Sequence, residues 1–208
     1  MTLIRKQLQD TSSSSEERKQ PRDCASLVIS LGDTESNARR WAARDLVDCP
    51  GASIHLVDRL KVEADPSVRA IIFSSLTCIG DAVAVDGLVE QLRSEDANLR
   101  NEAIEAMKQL PEQVAPIMKQ LLHDADGDVR IFAVNVLESL RHPEVEHWLI
   151  DVIEQDPGVN VCATAVDLLG EVGSNSAKAA LQGLKQRFAD EPYIQFAADL
   201  ALKRIAEN

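Results

Sequence analysis

Residues 126–137, Asp126-Gly127-Asp128-Val129-Arg130-Ile131-Phe132-Ala133-Val134-Asn135-Val136-Leu137, followed by Leu140, decide how the chain is built. Val129, Ala133, Val136/Leu137 and Leu140 fall at i, i+4, i+7/8 and i+11, one apolar stripe on a helix of 3.6 residues per turn. The same frame occurs upstream as Asp65…Val68-Arg69…Ile72…Leu76…Ile79 and as Asp96…Leu99-Arg100…Ala103…Met107…Leu110. A motif returning about every 30 residues marks stacked repeats, each burying its apolar face against the next.

Between these helices lies a second kind with apolar residues at i, i+3, i+4 and i+7. It begins with Cys24/Leu27/Val28/Leu31 and recurs at Ser53, Val85, Val114, Val145 and Ala177. First helices, headed by Ala38-Arg39, Val68-Arg69, Leu99-Arg100, Val129-Arg130, Val161-Cys162 and Ile194-Gln195, alternate with them. The reading is all-α, about six helical pairs over residues 23–206, preceded by a flexible tail over residues 1–22. Residues 9–23 carry no apolar side chain to bury, whereas Leu3, Ile4 and Leu8 near the start form a short apolar tip. Ser12–Ser15 could accept phosphate. The breaks between helices fit. Asp65-Pro66 and Asp156-Pro157 open helices, Gly32, Gly80 and Gly173 close them, and Pro50-Gly51, Pro111 and Pro143 separate members of a pair. Pro116 is tolerable only in the first turn of its helix.

The 208 residues are 45% apolar but only 3% aromatic, a composition suited to closely stacked helices. No uncharged apolar run is long enough to span a membrane, and the start lacks an apolar leader core, so a cytoplasmic location is expected. Cys24, Cys49, Cys78 and Cys162 are scattered without C-x-x-C and read as reduced, neither disulfides nor a zinc site. The net charge is −12, with +2 on residues 1–22 and −14 on the rest. Such a body repels phosphate backbones, which argues against nucleic acid as partner.

Asp65-Pro66-Ser67-Val68-Arg69, ending in Ile79-Gly80-Asp81, resembles the HEAT-like pattern D-P-x-V-R-x-x-A-A-x-A-L-G-x-I-G-D. Residues 126–137 resemble it with Gly127 for proline, and so does Leu168-Leu169-Gly170-Glu171-Val172-Gly173. This is the short bacterial type of HEAT repeat named after phycobilin lyases. The resemblance implies a right-handed α-solenoid over residues 23–206. It departs from the pattern at Cys162 and Gln195, where arginine is expected, so whatever the arginines do should weaken toward the C-terminus.

The most regular charged feature is the column Arg39, Arg69, Arg100 and Arg130. Asp65, Asp96 and Asp126 stand four residues before three of these arginines. We read the set as a structural ladder reaching aspartates or loop carbonyls at repeat junctions, rather than a stripe for a phosphorylated partner. Metal chemistry has one candidate, the run His142-Pro143-Glu144-Val145-Glu146-His147, whose members a helix break would separate. HEAT-like deoxyhypusine hydroxylases bind a di-iron centre through His-Glu pairs, and no histidine here is followed by glutamate. Gly-x-Ser-x-Gly, P-loop and Gly-x-Gly-x-x-Gly motifs are missing from the sequence. No catalytic residue, cofactor or metal is assigned. HEAT-like DNA glycosylases use a basic, aromatic-bearing groove, which the mixed, partly acidic wall of this chain does not match.

In a helical solenoid the second helices line the concave face. The residues expected to meet a partner are His55, Arg59, Asp86, Glu90, Lys119, Gln120, His147, Ile150, Asp151, Lys178 and Gln182. Ile150, with Ile131 and Phe132, could add an apolar patch. The function expected is a non-enzymatic scaffold or adaptor binding another protein, extended and partly basic. A phycobilin-lyase-like protein for chromophore attachment or removal is the rival that the resemblance implies, although Trp41, Trp148 and one tyrosine offer little aromatic wall. A scaffold in a two-component or chemotaxis system is a third reading.

Overall fold

The computed structural model describes residues 23–207. The tail over residues 1–22, with the Leu3/Ile4/Leu8 tip and Ser12–Ser15, lies outside them. Among the described residues there are twelve α-helices and no strand. They are α1 (Cys24–Ser30), α2 (Ser36–Asp45), α3 (Ala52–Leu60), α4 (Pro66–Ile79), α5 (Ala82–Gln91) and α6 (Ala97–Lys108). There follow α7 (Pro111–Leu121), α8 (Gly127–Leu137), α9 (Val145–Gln155), α10 (Val159–Val172), α11 (Lys178–Arg187) and α12 (Pro192–Glu207). Two short 3-10 turns, Leu46–Asp48 and Asn175–Ala177, precede α3 and α11.

Local chemistry sets the helix starts. Asp65, Asp96 and Asp126 each accept the backbone N–H two residues on, from Ser67, Asn98 and Asp128, at 2.8–2.9 Å. Asp81 caps α5 through the N–H of Ala84, and each such cap satisfies a donor that the first turn leaves unpaired. Asp23 caps α1 in the same way and thus belongs to the folded part. Gly80 ends α4 in the left-handed region at φ 58°, where a side chain would also sit 3.1 Å from Leu110 Cδ2. Two positions differ from expectation. Pro116 lies in the second turn of α7, beyond the first turn to which the sequence reading confined it. Its ring removes one bond to the carbonyl of Glu112, and that residue is exposed to water. Asp156 does not cap α10; Gly158 does, and Asp156 is buried at the end of α9.

The described chain forms two compact units, one ending at Ile72 and one beginning at Phe73. In the first, α1 packs on α2 and on the 3-10 turn, around Leu27, Leu31, Ala42, Leu46 and Leu56. In the second, the first helices pack in series, α6 on α8, α8 on α10 and α10 on α12. Behind them α5 packs on α7 and α9 on α11, and each pair closes through α5–α6, α9–α10 or α11–α12 contacts. The apolar stripes fill the space between the two layers. Leu149 and Ile153 of α9 are fully buried there, each contributing about 1.5–3 kcal/mol. This is a helical repeat stack of the solenoid class.

Candidate functional site

The cysteines correct the sequence reading first. Cys24 and Cys49 form a disulfide with a Cα–Cα separation of 5.7 Å, tying α1 to the end of the 3-10 turn. Spacing concealed it, because 25 residues of helix and loop fold back to bring the two together. Cys78 and Cys162 are free thiols, the former exposed and the latter buried. Disulfides persist mainly in oxidising compartments, so the cystine counts against the cytoplasmic location expected from the sequence.

The arginine column makes one repeated arrangement. Nη1 of Arg39 donates to the carbonyls of Asp33 and Thr34 at 3.0 and 2.9 Å, while Nε and Nη2 donate to Glu63 at 2.8 and 2.9 Å. Arg130 does the same, with Nη1 on the carbonyl of Asp124 at 2.7 Å and Nε and Nη2 on Asp156 at 2.6 and 3.2 Å. Arg100 Nη1 donates to the Ser94 carbonyl at 2.6 Å, and its guanidinium lies 5.6 Å from the ring centre of Phe132. Arg69 is half-buried at the same register. The carbonyl stands six residues upstream each time. Arginine suits this junction because its planar fork serves a carbonyl and a carboxylate at once.

At Arg39 and Arg130 the carboxylates are Glu63 and Asp156 rather than any of the aspartates that stand four residues before arginines of the column. Asp65, Asp96 and Asp126 cap their own helices. The residue two places before the cap takes the guanidinium, because it first binds the N–H of the capping residue. Glu63 accepts from Asp65 at 2.8 Å, Asp124 from Asp126 at 2.9 Å and Asp156 from Gly158 at 2.7 Å. Asp124 then pairs with Arg93, which holds its carboxyl below the usual range. The signal is present in the sequence as polar residues at 33, 63, 94, 124 and 156. At Glu63, burial alone would raise the pKa. Hydrogen bonds from Arg39, the Asp65 N–H and Arg59 outweigh it and bring the value down to about 2.

Where the column lapses, other groups take its place. Cys162 Sγ lies 3.4 Å from the carbonyl of Asp156, again six residues upstream. Arg187 arrives from α11, and its Nη2 donates to the carbonyls of Ile153 and Asp156, both at 2.9 Å. Gln195 Nε2 donates to the carbonyls of Lys185 and Phe188 at 2.8 and 3.0 Å. The junctions do not simply loosen toward the C-terminus.

The residues expected to meet a partner are distributed as follows. In the first unit His55 is exposed, while Arg59 is engaged by Glu63 at 2.7 Å. In the second unit Asp86, Glu90, Lys119, Gln120, His147 and Gln182 are exposed; Ile150, Asp151 and Lys178 are half-buried. His147 lies 3.7 Å from Asp151. Ile131, Phe132 and Trp148 are half-buried too. A cleft of about 280 Å³ beside Arg130 is lined by His123, Asp124, Asp151, Gln155 and Asp156. His142 does not join His147. It stacks on Trp148 with ring centres 5.0 Å apart, and Glu146 binds the N–H of Ser174 instead. Among the described residues no group of three or more His, Cys, Asp or Glu side chains could hold a metal ion. No helix among them is long and apolar enough to cross a membrane.

Stacked helical pairs with an arginine fork at the junctions define a helical repeat protein. Residues 114–203 match the family model for HEAT repeats. No curated protein matches it. Among solved structures it is similar to human deoxyhypusine hydroxylase in complex with glycerol, at 18% identity and TM-score 0.45, over 94% of this chain and 88% of that one. It is also similar to the CpcE–CpcF complex of phycocyanin lyase from Nostoc sp. PCC7120, at 18% identity and TM-score 0.39, over 89% and 96% of the two chains. A designed armadillo repeat protein in complex with the peptide (KR)4 gives 20% identity and TM-score 0.43, over 88% and 100%. At these values the likenesses carry nothing about activity or ligand.

Proposed function

We propose that the protein is a non-enzymatic adaptor whose second helices bind an extended, partly basic segment of another protein. The observation that supports this is the outer side of α5, α7, α9 and α11. Their stacking residues are buried, while Asp86, Glu90, Lys119, Gln120, His147 and Gln182 stay exposed. Residues free of stacking duty on adjacent helices form the surface that repeat proteins use for binding. Among these residues the acids Asp86, Glu90 and Asp151 outnumber the bases Lys119 and Lys178. Complementary charge then selects a basic partner and speeds encounter.

The test is affinity capture with the full chain and with Glu90→Lys/Asp151→Lys, partners being quantified by mass spectrometry. Partners specific to the wild type should fall at least tenfold with the variant. Equal recovery of every partner would sink the reading.

A further inference from the structure

The outward side of the first helices carries a second feature that the adaptor reading does not use. Counted from the junction position (Arg39, Arg69, Arg100, Arg130, Cys162, Gln195), three registers point outward: two before, one after and five after. In the first five helices these hold Asn, Ser, Asp, Arg, Ala or Glu, with Ile131 the single large apolar residue. In α12 they hold Tyr193, Phe196 and Leu200. The three share one side at i, i+3 and i+7 and remain 53%, 66% and 38% exposed. Helix stability does not call for them, because Ile194, Ala198, Ala201 and Ile205 bury the opposite stripe.

This stripe adjoins a groove. The Tyr193 hydroxyl donates to Asp167 at 2.7 Å, and Asp167 lines a groove of about 240 Å³ between α8 and α10 with Asn135, Glu138, Thr164 and Glu171. Lys108 already matches Glu138 at 2.9 Å. Among the described residues neither Asp167 nor Glu171 has a salt-bridge partner. Aromatic rings, an aliphatic side chain and carboxylates that no salt bridge neutralises thus meet on one surface.

We propose that this surface is a second docking site, for a protein segment that places Lys or Arg beside an apolar side chain. The apolar anchor covers Phe196 and Leu200. A cation meets the ring faces of Tyr193 and Phe196, and a second meets Asp167 and Glu171 in the groove. Charge selects this occupant over the others. A second copy would bring −14 on residues 23–208 against the same −14, and anionic headgroups or nucleic acid would meet the same repulsion.

The experiment is fluorescence anisotropy of the full chain with a fluorescein-labelled nonapeptide of repeating Lys-Leu-Arg, beside a repeating Glu-Leu-Glu control. Wild type should bind the basic probe and not the acidic one. Phe196→Ser/Leu200→Ser should weaken binding at least tenfold while leaving the far-UV signal and urea midpoint unchanged. Asp167→Asn/Glu171→Gln should weaken it and flatten its salt dependence. Glu95→Gln/Glu112→Gln, exposed acids outside both faces, should stay within twofold; capture with Glu90→Lys/Asp151→Lys tests the adaptor face by itself, so the two readings fail or stand separately. Absence of binding, equal binding by Phe196→Ser/Leu200→Ser, or equal weakening by both acid-to-amide variants would overturn the proposal. So would self-association in sedimentation that Phe196→Ser/Leu200→Ser abolishes without any peptide binding.

Discussion

Arg187 lies with Nη2 3.2 Å from Sγ of Cys162, so a guanidinium from α11 occupies the junction where the column of first-helix arginines has lapsed. It also donates to the carbonyls of Ile153, Glu154 and Asp156, the unsatisfied end of α9. Positive charge at a helix C-terminus is favourable on its own account. Arg187→Ala should cost about 1.5–3 kcal/mol, the scale of hydrogen bonds from a charged donor. The urea midpoint reads this loss, and Arg187→Lys should recover only part of it.

The thiol of Cys162 offers a second readout. Burial pushes it up, and the Arg187 charge offsets that only in part. Cys78 is exposed. In native protein Cys78 should react with a thiol reagent first, and Cys162 only as the fold opens. Equal rates at the two sites would contradict this burial.

Arg130 and Asp156 form a junction with side chains 14% and 5% exposed. Arg130→Met leaves a buried carboxylate without its cation and should cost about 3–5 kcal/mol, whereas Arg130→Met/Asp156→Leu should cost clearly less. Chemical denaturation of the single and double variants checks the order.

Glu63 predicts a pH dependence. Its folded-state pKa is depressed from 4.5 to about 2. The stability it contributes is therefore present above about pH 4.5 and lost as pH falls toward 2. Glu63→Gln should be less stable at pH 7 and show a flatter slope across that window, measured by urea unfolding at stepped pH.

The disulfide predicts a redox effect at one end of the first unit. α1 is seven residues long, and Leu27 is its one buried side chain. A loop closed over 25 residues is stabilised by about 3 kcal/mol in the chain-entropy picture. Reduction, or Cys24→Ser/Cys49→Ser, should speed amide exchange across residues 24–31 and lower the unfolding midpoint. The second unit should keep its protection.

Much of this was legible in the sequence. The recurring stripe from Val68, Leu99 and Val129 places the first helices, because burial on one side of a helix forces that period. The carbonyl side of the arginine junction was equally accessible. Its carboxylate side was not, since Asp65, Asp96 and Asp126 stand nearer in sequence yet turn their oxygens to their own helix N-termini. Cys24 and Cys49 carry no local signal, because their meeting depends on the path of α2 between them. Tyr193, Phe196 and Leu200 have the spacing of a buried stripe, and only the packed structure reveals them facing outward.

The forks at Arg39 and Arg130 each close within about one repeat of their own position. Damage to such a joint stays where it occurs, and a neighbouring helix can lend the missing hand, as Arg187 does. A protein assembled in this way can change one link during evolution while the alignment of every other link persists.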